Sequence, residues 1–135
     1  MQQRLIFHVD VNSAFLSWEA ARRVAAGEPD LRAIPSAIGG DRDKRTGIIL
    51  AKSIPAKKFE GTKFSFPLYT INGSSTVLKA NGVTTGEPVG MALRKCPQLV
   101  LAPPDFALYT RNSRAFIAIC RRFAPVVEQV SIDEC

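Results

Sequence analysis

A single histidine, His8, occurs among the 135 residues. Catalysis built on a Ser/His or Cys/His pair has almost nothing to draw on, and His8, inside an apolar run, reads as a structural side chain. Three cysteines, Cys96, Cys120 and Cys135, are odd in number and share no short spacing. They give neither a zinc-ligand pattern nor a disulfide framework, and fit a reduced, cytoplasmic setting. The apolar run before Asp10 is too short for a signal peptide or a membrane span, so no membrane partner is expected. Internal repeats and low-complexity segments are missing too. Acidic residues are the minority, 12 against 18 Lys+Arg, for a net charge of +6 and a pI near 9.6. That excess favours a polyanionic partner, nucleic acid or nucleotide before membrane, although an ordinary soluble basic protein carries the same balance. Apolar residues at 46% and charged residues at 22% are a globular composition, with length for one domain or pieces of two.

What is present is an alternation of strand and helix patterns. Residues 5–9 read as a strand ending at Asp10. Val11, Asn12 and Ser13 supply capping chemistry for a helix over residues 13–26, stopped by Gly27. Phe15, Trp18 and Val24 give that helix an apolar side, with Arg22 and Arg23 toward water. Residues 31–38 and 47–51 read as strands around the polar turn 39–45. Residues 53–59 form a short basic helix with Pro55 in its first turn. Glu87 and Pro88 open a helix that runs to Cys96, and residues 98–102 read as a strand. Pro103-Pro104-Asp105 leads into a helix reaching Phe123, with Phe106, Tyr109, Phe116, Ile119 and Phe123 at helical spacing. Pro125 ends it, and residues 126–132 read as a strand running into Asp133-Glu134. Residues 60–81, with Asn72-Gly73 between apolar stretches, read as a β-hairpin-like insertion. The expected class is mixed α/β (α+β).

The acids carry the chemistry. Asp10 closes one expected strand, and Asp133 with Glu134 closes another. If those strands are neighbours, three carboxylates meet at one sheet edge, where they repel each other unless a hard cation, usually Mg²⁺, sits among the oxygens. Two-metal nucleotidyl transfer needs such an arrangement: one ion activates an attacking hydroxyl, and the other neutralises the triphosphate and the leaving pyrophosphate. Asp10 and Asp133 suit the bridging positions, Glu134 the attacking side, and the backbone carbonyl of Val11 can complete a coordination shell. Amides of Asn12, Ser13, Ala14 and Phe15, at a helix N-terminus, are placed for phosphate oxygens. Lys52, Lys57 and Lys58 can add charge to the same phosphates. On spacing alone, an Asp-Glu pair after a strand is more commonly an ordinary polar turn.

Four segments occur in order: Phe7-His8-Val9-Asp10-Val11-Asn12-Ser13-Ala14-Phe15, Leu50-Ala51-Lys52-Ser53-Ile54-Pro55-Ala56-Lys57-Lys58-Phe59, Thr85-Gly86-Glu87-Pro88 and Ser131-Ile132-Asp133-Glu134. Together they resemble the N-terminal part of a Y-family translesion DNA polymerase of the bacterial polymerase IV and V type. Pro103-Pro104-Asp105-Phe106-Ala107-Leu108-Tyr109, followed by Ser113, is similar to that family's palm helix. The resemblance covers nearly the whole chain except residues 60–81.

It implies a DNA-directed DNA polymerase that extends primer-template DNA from deoxynucleoside triphosphates with two Mg²⁺ ions and tolerates damaged template bases. By position, Asp10, Asp133 and Glu134 would be its metal-binding catalytic acids. Phe15 matches the family's steric gate, an aromatic side chain that stacks under the sugar and excludes a ribose 2′-hydroxyl. Lys57 falls where the family carries a basic residue on the triphosphate, and Ile54 where many members carry a tyrosine. Residues 1–13 and 105–135 would then form a partial palm with an incomplete sheet. Residues 14–104 would form a small fingers subdomain, with 60–81 inserted between Phe59 and Gly82.

Family members continue with a returning strand, a thumb and a DNA-gripping domain. The resemblance therefore implies little primer extension by these 135 residues alone, and sliding-clamp docking only in a full-length form. Two other classes stay open. One is a nucleotide or diguanylate cyclase on a related palm; Gly39-Gly40-Asp41 resembles half of its signature, but Arg42 and Asp43 stand where an acid and an aromatic belong. The other is a non-catalytic truncated gene product or a basic nucleic-acid-binding module. Cyclic product from GTP or ATP would mark the first. Salt-dependent DNA affinity indifferent to Asp10 and Asp133 would mark the second.

Overall fold

The structure, a computed structural model, describes residues 5–59 and 82–135. The hairpin expected at 60–81 lies outside the described residues. Three short strands make the sheet: β1 (Ser36–Gly39), β2 (Ile49–Lys52) and β3 (Val100–Ala102), in the order β2-β1-β3. β1 pairs antiparallel with β2 and parallel with β3. Ile38 lies opposite Ala51 while Gly39 lies opposite Ile49, which leaves Leu50 as the extra residue of a bulge. The bulge reverses the alternation of β2, so Ile49 and Ala51 enter different cores.

Helices cover both faces. On one, α1 (Ala14–Ala25) and α4 (Phe106–Cys120) bring Leu16, Ala20, Leu108 and Tyr109 against Ile38, Ala51 and Ala102. On the other, α2 (Ile54–Lys58) and α3 (Val89–Lys95) bring Ala56, Val89 and Ala92 against Ala37, Ile49 and Leu99. Ser53 joins α2 to the sheet. Its hydroxyl caps the Ala56 N–H at 3.1 Å, accepts from the Ser36 N–H at 3.1 Å and donates to the Ile34 carbonyl at 2.8 Å.

Helix α1 ends where Gly27 takes φ 80, with Gly27 N–H donating to Val24 and Glu28 N–H to Arg23, the paired bonds of a Schellman motif. Its start differs from expectation. Ser13 adopts a left-handed φ of 47 and does not cap the helix; its hydroxyl donates to the Lys52 carbonyl at 3.3 Å. Arg22 and Arg23 do more than face water. Both hold Glu19, a carboxylate 1% exposed, through contacts of 2.6 and 2.7 Å.

The expected strands are shorter or missing; of 47–51 and 98–102 only β2 and β3 remain. Of residues 31–38, Leu31–Ala33 form a 3-10 turn capped by the Asp30 carboxylate on Arg32 N–H, and only β1 is strand. Neither 5–9 nor 126–132 is a strand; one isolated bridge, Asp10 opposite Glu134, joins the two regions. The reason is local. The N–H groups of Val130 and Ser131 both turn back to the Glu134 carbonyl, at 3.0 and 3.3 Å, and close a tight loop where a ladder would need them outward. Helix α4 stops at Cys120 because Arg122 and Phe123 N–H bond three residues back and tighten the last turn. Its buried stripe is Leu108, Tyr109, Ser113 and Ile117; of the expected apolar face, Phe106, Ile119 and Phe123 are exposed.

Candidate active site

Sequence positions 10 and 134 meet through the backbone. Val9 N–H donates to the Cys135 carbonyl at 2.8 Å, Cys135 N–H returns to Val9 at 3.0 Å, and Val11 N–H donates to Asp133 at 3.0 Å. Val9 and Cys135 are thus a hydrogen-bonded antiparallel pair, and Asp10 and Glu134 are the next, non-hydrogen-bonded pair. In such a pair the side chains leave one face of the ribbon from Cα atoms about 4.5 Å apart. The two carboxylates therefore start as close neighbours.

Asp133 is one residue out of phase with Glu134. Its carboxylate accepts from the Ser131 hydroxyl at 2.8 Å and lines a cleft of about 140 Å³ together with Ser13, Ala14, Phe15, Leu50, Ala51 and Thr85. Among the described residues, no three His, Cys, Asp or Glu side chains are gathered closely enough to hold a metal ion together. Asp10 and Glu134 are brought together, and Asp133 stands on the cleft side of the same segment. The one-residue offset puts Asp133 on the opposite face of the ribbon from Asp10 and Glu134. The donors themselves suit a hard divalent cation: three carboxylates with no ion pair among the described residues, and backbone carbonyls beside them.

The cleft wall is built from the start of α1. Ala14, Phe15 and Leu16 present first-turn amides that no side chain caps. Phe15 stacks on Tyr109 with ring centroids 4.3 Å apart and planes 8° apart, and meets Phe106 edge-on at 6.2 Å. Tyr109 is fully buried, and among the described residues no hydrogen bond of normal geometry reaches its hydroxyl. Burial pushes its phenol above the usual range. The stack holds the Phe15 ring from behind while its other side borders the cleft. Lys52, at the end of β2, donates to the Thr85 hydroxyl at 2.9 Å and so lies at the rim. Lys57 is exposed on α2 and does not line the cleft, and Asn12 is exposed with its carbonyl taken by the Ser17 hydroxyl at 2.9 Å.

Sequence reasoning did not assign roles to Thr85 or to the Tyr109 stack. Gly86, at φ 86, makes the turn that presents Thr85, its N–H donating to the Ile49 carbonyl at 2.7 Å. The Thr-Gly-Glu-Pro signal was in view. Tyr109 carried only the spacing of a core residue.

A mixed α/β sheet flanked by helices is also the fold of solved Y-family polymerases. A chimera of the Y-family DNA polymerases Dbh and Dpo4 superposes with a TM-score of 0.69 at 19% identity, covering 94% of this chain and 30% of that one. DinB from Sulfolobus solfataricus gives 0.62, also at 19% identity. At that identity the likeness establishes the fold. The impB/mucB/samB family model matches residues 9–135, and the chain belongs to that family. DNA polymerase IV of Clostridium acetobutylicum is 42% identical over 133 residues, 98% of this chain and 28% of the relative. DNA polymerase IV 1 of Bacillus subtilis is 36% identical over 133 residues, 26% of its length. The chain thus spans little more than a quarter of these curated relatives.

Proposed function

We propose that this chain carries the nucleotide-binding and acid-bearing part of a Y-family DNA polymerase, with nucleotidyl transfer to a DNA primer as the reaction. The observation that carries the reading is the backbone pairing of Asp10 with Glu134 beside a cleft walled by Phe15 and Asp133. In this reading Asp10, Asp133, Glu134 and the Val11 carbonyl hold divalent ions, most suitably two Mg²⁺. When bound, those ions supply charge neutralisation and a more acidic attacking hydroxyl. The chain's own groups do the rest. The open amides of Ala14 and Phe15, with those of Asn12 and Ser13, receive phosphate oxygens, since a helix N-terminus favours anions. Lys52 adds positive charge at the rim, and Lys57, on α2 away from the cleft lining, adds to the positive field around it. Phe15, held by Tyr109, bounds the space available to the sugar and leaves no room for a 2′-hydroxyl.

We assign residues 1–13 and 105–135 to a partial palm and 14–104 to the fingers, with primer-template DNA as the macromolecular partner. Grip on primer-template comes largely from phosphate contacts spread over a polymerase's whole length. These 135 residues are therefore expected to bind a deoxynucleoside triphosphate far better than they extend a primer. Equilibrium dialysis of radiolabelled dATP with Mg²⁺, beside a primer-extension assay, tests this. Binding that requires Mg²⁺ and drops at least about tenfold in Asp10→Ala and Asp133→Ala supports the reading. Metal-independent binding indifferent to both substitutions refutes it.

A second reading is a basic nucleic-acid-binding module without chemistry, favoured by the net charge of +6 and by the separated carboxylates. DNA affinity that falls steeply with salt and ignores Asp10→Ala would support it.

A further inference from the structure

The turn that carries Thr85 is tied down on both sides. Gly86 N–H donates to the Ile49 carbonyl at 2.7 Å, and Ile49 N–H returns to the Glu87 carbonyl at 2.9 Å, which stitches the turn to the start of β2. From the other side, the Glu87 carboxylate accepts from Thr84 N–H at 2.6 Å and from Lys95 of α3 at 2.7 Å. The tie fixes one exposed hydroxyl, Thr85, and that hydroxyl accepts from Lys52 Nζ at 2.9 Å. Lys52 is also held at its backbone: it closes β2 opposite Ala37, and its carbonyl accepts from the Ser13 hydroxyl at 3.3 Å. Ser13 and Thr85, the two residues it touches in this way, both line the cleft. Thr85 takes one of the three N–H groups of the ammonium, and among the described residues no carboxylate pairs with it. A hydroxyl, unlike a carboxylate, holds a lysine without neutralising it. A lysine held beforehand has less rotamer freedom to lose when an anion arrives.

We propose, building on the nucleotide-binding reading above, that Thr85 is a positioning residue. It holds the Lys52 ammonium at the mouth of the cleft so that the remaining N–H groups meet the phosphate chain of a nucleoside triphosphate. Lys52 touches the phosphates; Thr85 acts only through Lys52 and touches no part of the nucleotide.

Equilibrium dialysis of dATP with Mg²⁺ is run on the full chain and on Lys52→Met, Thr85→Val, Thr85→Ser and the Lys52→Met/Thr85→Val double variant. Deoxyadenosine, which lacks phosphates, is measured beside it. Valine keeps the shape of threonine, and serine keeps its hydroxyl. Lys52→Met is expected to weaken dATP about tenfold and Thr85→Val about threefold. Thr85→Ser recovers most of the Thr85→Val loss, the double variant is no weaker than Lys52→Met, and deoxyadenosine binding is the same in all. A merely structural threonine would add its loss to that of Lys52→Met, and a contact to the base would weaken deoxyadenosine as well; either result overturns the proposal. Because a variant can lose its fold, a second measurement labels the unmodified chain with acetic anhydride and locates the label by mass spectrometry. Mg²⁺ with dATP is expected to protect Lys52 and to leave Lys44, whose side chain is 77% exposed, fully reactive. Equal labelling of Lys52 with and without dATP also overturns the proposal. If dATP binding needs Mg²⁺ and Asp10 yet ignores Thr85→Val, the positioning role falls while the nucleotidyl-transfer reading stands. If dATP with Mg²⁺ does not bind the unmodified chain, both fall.

Discussion

Removing the charges of Arg22 and Arg23 together is expected to destabilise the protein by more than the two single changes combined. Glu19 is 1% exposed and accepts from Arg22 at 3.0 and 2.6 Å and from Arg23 at 2.7 Å. Either arginine alone still pairs with the carboxylate, so Arg22→Met or Arg23→Met forfeits one charged interaction, about 1 kcal/mol after discounting for the exposure of the guanidinium. Methionine keeps most of the aliphatic stem, which limits packing loss. With both changed, a buried carboxylate has no partner and the cost rises to about 3–5 kcal/mol. The pair therefore couples by roughly 1–3 kcal/mol. The pH dependence changes sign as well. In the native protein burial pushes Glu19 up, but the bonds from Arg22 and Arg23 outweigh it and hold the carboxyl below its ordinary range. Its contribution is thus complete above the unfolded carboxylate pKa and is lost as pH falls through the depressed folded value. In the double variant only the burial effect remains, so its folded pKa is raised. Protonation then favours folding, and its deficit shrinks as pH falls through that raised value. Urea titrations followed by Trp18, the one tryptophan, report all four members of the cycle at pH 7 and pH 4.5. Additive losses with a pH-independent gap would refute the argument.

Tyr109→Phe deletes a buried hydroxyl that has no well-formed hydrogen bond among the described residues, and unfolding titrations are expected to show no loss and a gain of up to about 1 kcal/mol; a loss larger than that would reveal a bond to the hydroxyl. Gly40→Ala would drive a Cβ into the Thr46 carbonyl and the Gly47 Cα, for a cost of about 2 kcal/mol or more, whereas Gly27→Ala, at φ 80 with nothing nearby, should cost only about 1 kcal/mol. Equal costs at the two glycines would contradict the steric account. On the proposed reading, in which the Phe15 ring bounds the sugar space, Phe15→Ala should narrow the preference for dATP over ATP in competition binding; an unchanged ratio would remove Phe15 from that role.

Much of this was readable in advance because the signals were local. Gly27, the Ser53-to-Pro55 start of α2 and the Pro104-Asp105 start of α4 each mark an element end by chemistry confined to a few residues, and each mark coincides with an observed boundary to within a residue or two. The meeting of positions 10 and 134 was expected from two apolar runs that each end in acid, yet the runs themselves are not strands. Their donors are spent on a loop around Glu134, a contact pattern that apolar periodicity does not encode. The face of α4 was misjudged for a related reason. Phe106, Ile119 and Phe123 are the larger apolar residues, but the buried stripe is the one containing Leu108, Tyr109, Ser113 and Ile117. The Leu50 bulge, which decides which core Ile49 enters, depends on tertiary register and leaves no trace in spacing.

The seam between residues 10 and 134 joins points 124 positions apart in a chain of 135. Closing a loop of that length costs about 4 kcal/mol in chain entropy, comparable to what three exposed backbone bonds return at about 1 kcal/mol each. The seam can therefore form only after the sheet and its helices have already drawn the two ends together. It should assemble last and be the first place to fray, with the amides of Val9, Val11 and Cys135 exchanging with solvent well before those of β1. Whatever binds at Asp10 and Glu134 would act as the final fastener of the fold, so that occupancy there and resistance to opening rise together.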